Sequence, residues 1–274
     1  MIRTLATVLG LALALQFAAP GLTAPAQAAV TTYTLKNGAT LSADEADQVI
    51  LDQETLDQIS VEVAGGVDPT LEAYWARPDH EVYFNHEEVG YVKMDDWEDL
   101  DIDELWDSYV EGSKAQSKQF GYEVTPLRWV IQPTLNREKA VAYYAIELKF
   151  GDTEPVVNLV IYDFGRFGYE EMTLVQETSR FPVADAEAIA TGIAGAYAFG
   201  PQADYGDFQE GDVVAATGAA GLIAASLGAK FGKGFIFAAL IFLKKFWFLL
   251  LAIPALGWKW IRGWLGGRSG EEAA

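Results

Sequence analysis

Apolar positions recur along the chain with two periods, and the switches between them mark its elements. Residues 32–37 alternate like a strand and end in a turn at Gly38. Residues 42–59 predict a helix, with Glu45 three positions after a capping Ser42 and Val49, Ile50, Leu56 and Ile59 at roughly helical spacing. Residues 71–76 and 81–85 alternate as strands, and 90–94 form a candidate third. The clearest helix spans 99–119. Asp101 and Glu104 make a capping pattern, and Ile102, Leu105, Trp106, Tyr109 and Val110 fall on one apolar face. Strands then follow at 127–132, 140–150, 156–163 and 169–176, joined by short Gly-, Pro- and Asp-containing turns, which predicts an antiparallel meander. Residues 183–199 read as a small-residue helix after Pro182. The expected fold class is α+β, an antiparallel sheet with helices on one face.

Both ends of the chain follow other patterns. Arg3, an apolar run over 5–19, a break at Pro20-Gly21 and Ala26-Gln27-Ala28 spell a secretory signal over residues 1–28. Near the C-terminus, residues 213–229 carry no charge but are rich in Ala and Gly, and residues 234–257 are far more apolar apart from Lys244-Lys245. A central lysine costs about 2.5–3.5 kcal/mol on insertion and each Leu, Ile or Phe returns about 0.3–0.6. Fourteen such residues between Phe235 and Leu256 therefore roughly offset the pair. Trp258, Lys259, Trp260, Arg262 and Trp264 then form an aromatic and basic belt of the kind found at a membrane–water interface. One pass through 234–257 and two passes that include 213–229 satisfy the positive-inside rule almost equally, with a slight lean to one. Ala215, Gly218, Gly221, Ala225, Gly228 and Gly232 recur at spacings that let membrane helices approach closely, whether in self-association or against another membrane protein; an Ala/Gly-rich composition gives such spacings by itself.

Charge sharpens this division. The chain has 274 residues and a net charge of −20, yet 51% of it is hydrophobic. Residues 29–212 hold 37 acidic and 11 basic side chains, whereas 213–270 hold no acid and seven bases. The expected organisation is a signal peptide (1–28), an extracytoplasmic α+β domain (29–212), a transmembrane region (213–265) and a short tail (266–274). So acidic a domain argues against nucleic acid, because phosphate binding needs clustered Lys and Arg. The absence of cysteine from the sequence removes disulfides, thiolate chemistry and lipid-modified cysteine.

Candidate chemistry is sparse. The acidic run from Asp95 to Asp107 fails the calcium-loop test, since the glycine position is Glu104 and the twelfth position is Val110; helix-terminal and solvated carboxylates account for it better. His80 and His86 stand six apart on a strand–turn stretch near Glu81, Glu87 and Glu88, which makes them weak candidates for a metal site. No nucleophile elbow, P-loop or dinucleotide fingerprint is present, and no cofactor is expected.

Tyr205-Gly206-Asp207-Phe208, Asp212, Ala215-Ala216, Gly218 and Ala229-Lys230-Phe231-Gly232 form a junction that resembles a family of uncharacterised bacterial membrane-anchored proteins, classed as a domain of unknown function. Gly90-Tyr91-Val92, Trp129, Asn158 and the turn Gly165-Arg166-Phe167-Gly168 fit the same pattern; Gly206 and Phe167 depart from it. The resemblance implies a periplasm-facing domain on an inner-membrane anchor and implies no activity. Tyr205, Asp207, Phe208 and Asp212 are read as the membrane junction, with the two rings suited to headgroup level or simply to a connecting loop. The whole points to a membrane-anchored interaction or scaffold protein, in contact with the lipid bilayer and without nucleic acid. The alternative is an envelope hydrolase or metal-dependent enzyme using ectodomain carboxylates with His80 and His86.

Overall fold

The computed structural model describes residues 29–229 apart from 65, 79, 121 and 122. Its elements run β1 (Val30–Thr34), β2 (Thr40–Asp44), β3 (Gln48–Ile50), α1 (Gln53–Ala64), β4 (Leu71–Ala76), β5 (Glu81–Glu87), α2 (Ile102–Phe120), β6 (Val124–Asn136), β7 (Val141–Phe150), β8 (Val156–Phe164), β9 (Tyr169–Glu177), α3 (Ala186–Ala194), β10 (Tyr197–Ala198) and α4 (Ala219–Ala224). Seven strands form one antiparallel sheet in the order β3-β4-β5-β9-β8-β7-β6, and β1, β2 and β10 form a second, small one. The fold is α+β with antiparallel sheets.

The large sheet follows the predicted meander. β6 to β9 lie side by side in chain order, and β6, at the edge, carries Pro126 and Pro133, where missing ladder donors are tolerated. The α2 segment carries the chain from β5, inside the sheet, to that far edge, and the meander then returns until β9 pairs with β5. β7 and β8 are buried along nearly their whole length because both faces of the sheet are covered. On one face Ala142, Tyr144, Ile146 and Leu148 pack with Leu105 and Tyr109 of α2 and with Ile223 and Leu227. The α1 helix covers Leu71, Tyr74 and Tyr83 on the same side. On the other face Val141, Tyr143, Ala145, Leu159 and Leu174 pack with Leu41 and Ala43 of β2 and Ala186, Ala190 and Ile193 of α3.

Four expectations change. Residues 90–94 form no strand, only a single bridge from Tyr91 to Val214. Helices do not keep to one face, since α3 and the small sheet cover the other. Residues 42–59 are not one helix: Leu41 and Ala43 alternate inward on β2, and α1 begins only after Asp52, whose carboxylate accepts the Thr55 N–H and hydroxyl at 3.0 and 2.8 Å. Residues 183–199 are helical only to Ala194, and Tyr197 then pairs with Leu41 as a strand. The helix expected over 99–119 forms as α2, and Asp101 caps it by accepting the N–H groups of Asp103 and Glu104, both at 3.0 Å.

The folded unit also extends past residue 212. Tyr91 donates its N–H to Val213 O at 2.8 Å, Ala215 donates to Tyr91 O at 3.0 Å, and Ala219 donates to Lys93 O at 2.7 Å. Ala219, Ala220, Ile223 and Leu227 are then buried in the core. The first membrane candidate, 213–229, is therefore tied to the domain by its backbone at 213–219 and buries Ala219, Ala220, Ile223 and Leu227 in its core. Among the described residues, no helix is long and apolar enough to cross a membrane. The second candidate, 234–257, lies outside the described residues, as do the signal segment, Gly232 and the belt Trp258, Lys259, Trp260, Arg262 and Trp264. Ile223→Ala, at a fully buried position, is expected to cost about 2–5 kcal/mol. Urea unfolding of the full chain checks this, and an unchanged midpoint would place the segment outside the core.

Candidate functional site

One rung of the large sheet collects three ionisable groups. His86 of β5 lies opposite Glu170 of β9, which lies opposite Asp163 of β8. All three continue rows that are otherwise apolar and point at the small sheet: Val82 and Phe84 before His86, Ile161 before Asp163, Met172 and Leu174 after Glu170. Glu72 joins them through a register slip in β4. Leu71 and Ala73 should share a face, yet the bulge sends Leu71 toward α1 and Ala73 toward the small sheet. The slip brings the Glu72 carboxyl to the same cluster. Donor atoms of Glu72, His86 and Glu170 all lie within 4.8 Å of one another.

The small sheet closes this cluster from above. The Asn37 amide, in the β1–β2 turn, donates to Glu72 Oε1 at 3.0 Å and to the Tyr197 hydroxyl at 2.9 Å. His86 Nδ1 stands 3.3 Å from Glu170 Oε2. Glu170 is fully buried, and its Oε1 has no hydrogen-bond partner. Glu72 is 8% exposed, while the His86 side chain remains 20% exposed. A crevice of about 60 Å³ opens at His86, between Asn37, Glu88, Phe167 and Phe199. Gly168 shapes its wall, because a Cβ there would stand 1.9 Å from Glu87 O; only glycine lets β9 begin so close to β5.

Burial dominates the electrostatics. It pushes the Glu72 carboxyl from an ordinary 4.5 up to about 9, with the charge of Glu170 adding to the effect and His86 opposing it. Burial also raises Glu170 well above the carboxylate range. Asp163 is pushed from 3.8 to about 8 by burial and by Asp204. The Tyr197 hydroxyl is held protonated by burial and by both glutamates. Such a set either keeps protons on its carboxyls or neutralises them with a cation, because two bare carboxylates away from water are too costly.

His86 is thus brought into a site and His80 is not. Six extended residues span about 20 Å, so the two imidazoles cannot share an ion. His80 sits at the β4–β5 turn, where its carbonyl accepts the Arg77 N–H at 2.9 Å. The acidic run serves helix ends. Beside Asp101, Asp96 accepts the N–H groups of Ala220 and Gly221, both at 3.2 Å.

The junction residues are built into the domain. Tyr205 stacks on Tyr91 at 4.4 Å between ring centroids, Phe208 lies 4.2 Å from the same ring, and the Tyr205 hydroxyl donates to Val92 O at 2.9 Å. Asp212 holds Arg166 in a two-pronged pair at 2.8 and 2.9 Å, and that contact lowers the Asp212 pKa. Asp207 closes a reciprocal cap with Asp204 around a single 3₁₀ turn. Among the small residues, Gly218 admits the Asp96 carboxylate, since a Cβ would stand 2.4 Å from its Oδ1. Gly221 passes against Thr217, Ala215 packs on the core and Ala225 is exposed. Gly228 lies in the π-helical turn that extends α4.

These features define a class: an antiparallel α+β domain, covered on both faces, with a carboxylate–histidine cluster between its two sheets. The chain belongs to the family described as "Protein of unknown function (DUF2167)", which it matches over residues 25–255. Comparison with curated proteins finds no match. Among solved structures, the cyanobacterial PsbP (CyanoP) from Synechocystis sp. PCC 6803 is similar at 11% identity and a TM-score of 0.38, covering 67% of this chain and 98% of that one. A superposition that loose defines neither a shared fold nor a shared role.

Glu72 and Asp163 hold their protons more tightly in the folded domain than in the unfolded chain. Unfolding therefore releases protons above the ordinary carboxyl range, and stability falls as pH rises from about 4 toward 8–9. In chelator, the thermal midpoint of the full chain is expected to drop between about pH 5 and pH 9, and Glu72→Gln should make the drop shallower. A profile that rises over that interval would contradict the protonated cluster.

Proposed function

We propose that this chain is an extracytoplasmic interaction or scaffold module tethered to the inner membrane by its C-terminal region. The observation that carries the reading is the change at residue 230. The acidic domain takes Ala219, Ala220, Ile223 and Leu227 into its own core, and the sequence then turns directly basic and apolar. With 213–227 used in packing, 234–257 is the stretch left for a pass, which favours one crossing with Lys259, Arg262 and Arg268 on the cytoplasmic side. Clasps such as Arg166–Asp212 and Tyr91–Tyr205 tie the start of the tether to the sheet, which suits a domain presented at a set orientation to a partner.

A metal-dependent enzyme is the second reading, and the gathering of His86 with two glutamates favours it. Cavity size ranks it lower. Pockets for organic ligands run to roughly 300–1,000 Å³, several times the crevice at His86, which suits an ion or a water.

Cell fractionation tests the tether. The full chain is expected in the membrane pellet after alkaline carbonate, with its domain digested by protease once the outer envelope is opened, whereas a chain ended at 229 should appear in the soluble extracytoplasmic fraction. A full chain released by carbonate would overturn the anchoring. Crosslinking in mild detergent tests the interaction role, and a strict monomer without adducts would count against it.

A further inference from the structure

We propose that Glu72, His86 and Glu170 bind one divalent transition-metal ion, with Zn²⁺ the best match to their donors. Three protein ligands, two carboxylates and one imidazole, make a mixed oxygen–nitrogen set of the kind zinc accepts while keeping a fourth position open. Calcium and magnesium prefer oxygen alone and more of it. The separation of two of the donors is that of ligands sharing one ion. Two donors bound to one zinc at about 2.0–2.1 Å stand roughly 3.3 Å apart in a tetrahedron. His86 Nδ1 and Glu170 Oε2 stand at 3.3 Å, long for a charge-assisted hydrogen bond.

Further observations point to a ligand. Glu170 is fully buried, and its Oε1 has no hydrogen-bond partner among the described residues. A buried carboxylate with an unpaired oxygen is costly, and a cation bound to that carboxylate would offset its charge. The charges match, because two glutamates bring two negative charges and the ion two positive ones. Asn37 holds Glu72 Oε1 from outside the donor set, as outer partners orient metal ligands. His86, the ligand that keeps some exposure, also lines the crevice, so an ion has a way in and the fourth position a place for water. This site is independent of the membrane tether and stands or falls without it.

The full chain in mild detergent, stripped with EDTA and then dialysed against ZnCl₂, gives the test, with bound metal read by elemental analysis and stability by thermal unfolding. The expected result is about one zinc per chain, a midpoint that rises with zinc, and weaker responses to CaCl₂ and MgCl₂. Glu170→Gln and Glu72→Gln should each weaken zinc binding at least tenfold, Asn37→Ala by about 10–100-fold, and His80→Gln not at all. Glu170→Gln keeps the shape of the side chain and removes a buried ionisable group. Its metal-free midpoint should equal or exceed that of the parent, which separates lost binding from lost folding. No zinc above background, or unchanged binding in both glutamine variants, would overturn the site and leave a shared proton between the carboxyls. An equal response to calcium would overturn the transition-metal assignment.

Discussion

Strand β9 reaches its place beside β5 only after the chain has crossed the sheet on α2 and come back through three hairpins, and nearly every other feature depends on that return. The pairing is tight at its start, where Gly168 lies against the Glu87 carbonyl at a distance no other residue could accept. It fixes the register His86–Glu170–Asp163 across three strands. It also closes the sheet into one continuous surface, which α1, α2 and α4 then cover on one side and the small sheet and α3 on the other. A slip of one residue would turn Met172 and Leu174 away from the small sheet and carry Glu170 with them. The apolar packing that sets the register therefore also holds the buried carboxyl in place.

This explains why an acidic domain tolerates ionisable groups in its interior. Most of the 37 acidic side chains between 29 and 212 are available to water or to helix ends, where they cost little. Glu170 and Glu72 have neither outlet. Each sits at the end of a run of apolar contacts, under the lid of Asn37 and Tyr197, where two negative charges would repel each other in a poorly screening environment. The cluster can exist with protons or with a cation, and the same geometry serves either. The β4 bulge is the local device that permits it, because without the slip Glu72 would point toward α1.

How much of this could be read from residues alone depends on range. The α2 helix and the meander β6–β9 were legible because their signals are local: one apolar stripe with an aspartate cap, and alternation broken by turns. Residues 42–59 misled because Ser42 and Glu45 imitate a capping pattern, while the alternation of Leu41 and Ala43 occupies too few residues to compete. Residues 183–199 misled because Ala and Gly do not betray the point where a helix yields to the two-residue strand at Tyr197. His80 and His86 are near in sequence, but the rise of a strand already separates them. Glu72 and Glu170 were indistinguishable among so many acids, since their meeting depends on a long-range pairing. One local signal did exist. His86, Asp163 and Glu170 each interrupt an inward apolar row at its end, and an acid or imidazole in such a row is a better candidate than one in an acidic run.

The stretch after residue 213 shows the limit of hydropathy as an argument. An uncharged, Ala- and Gly-rich segment reads alike to a bilayer and to a protein core, because both exclude water and both reward close approach. What separates the two is the fate of backbone polar groups at the helix start. A helix entering lipid would meet water and headgroups there, whereas α4 meets the Asp96 carboxylate, which stands over a hundred residues earlier and fits only because Gly218 has no side chain. Ala219, Ile223 and Leu227 then fall four residues apart on a single buried stripe facing the sheet and α2. The small residues of this segment serve an approach within one chain.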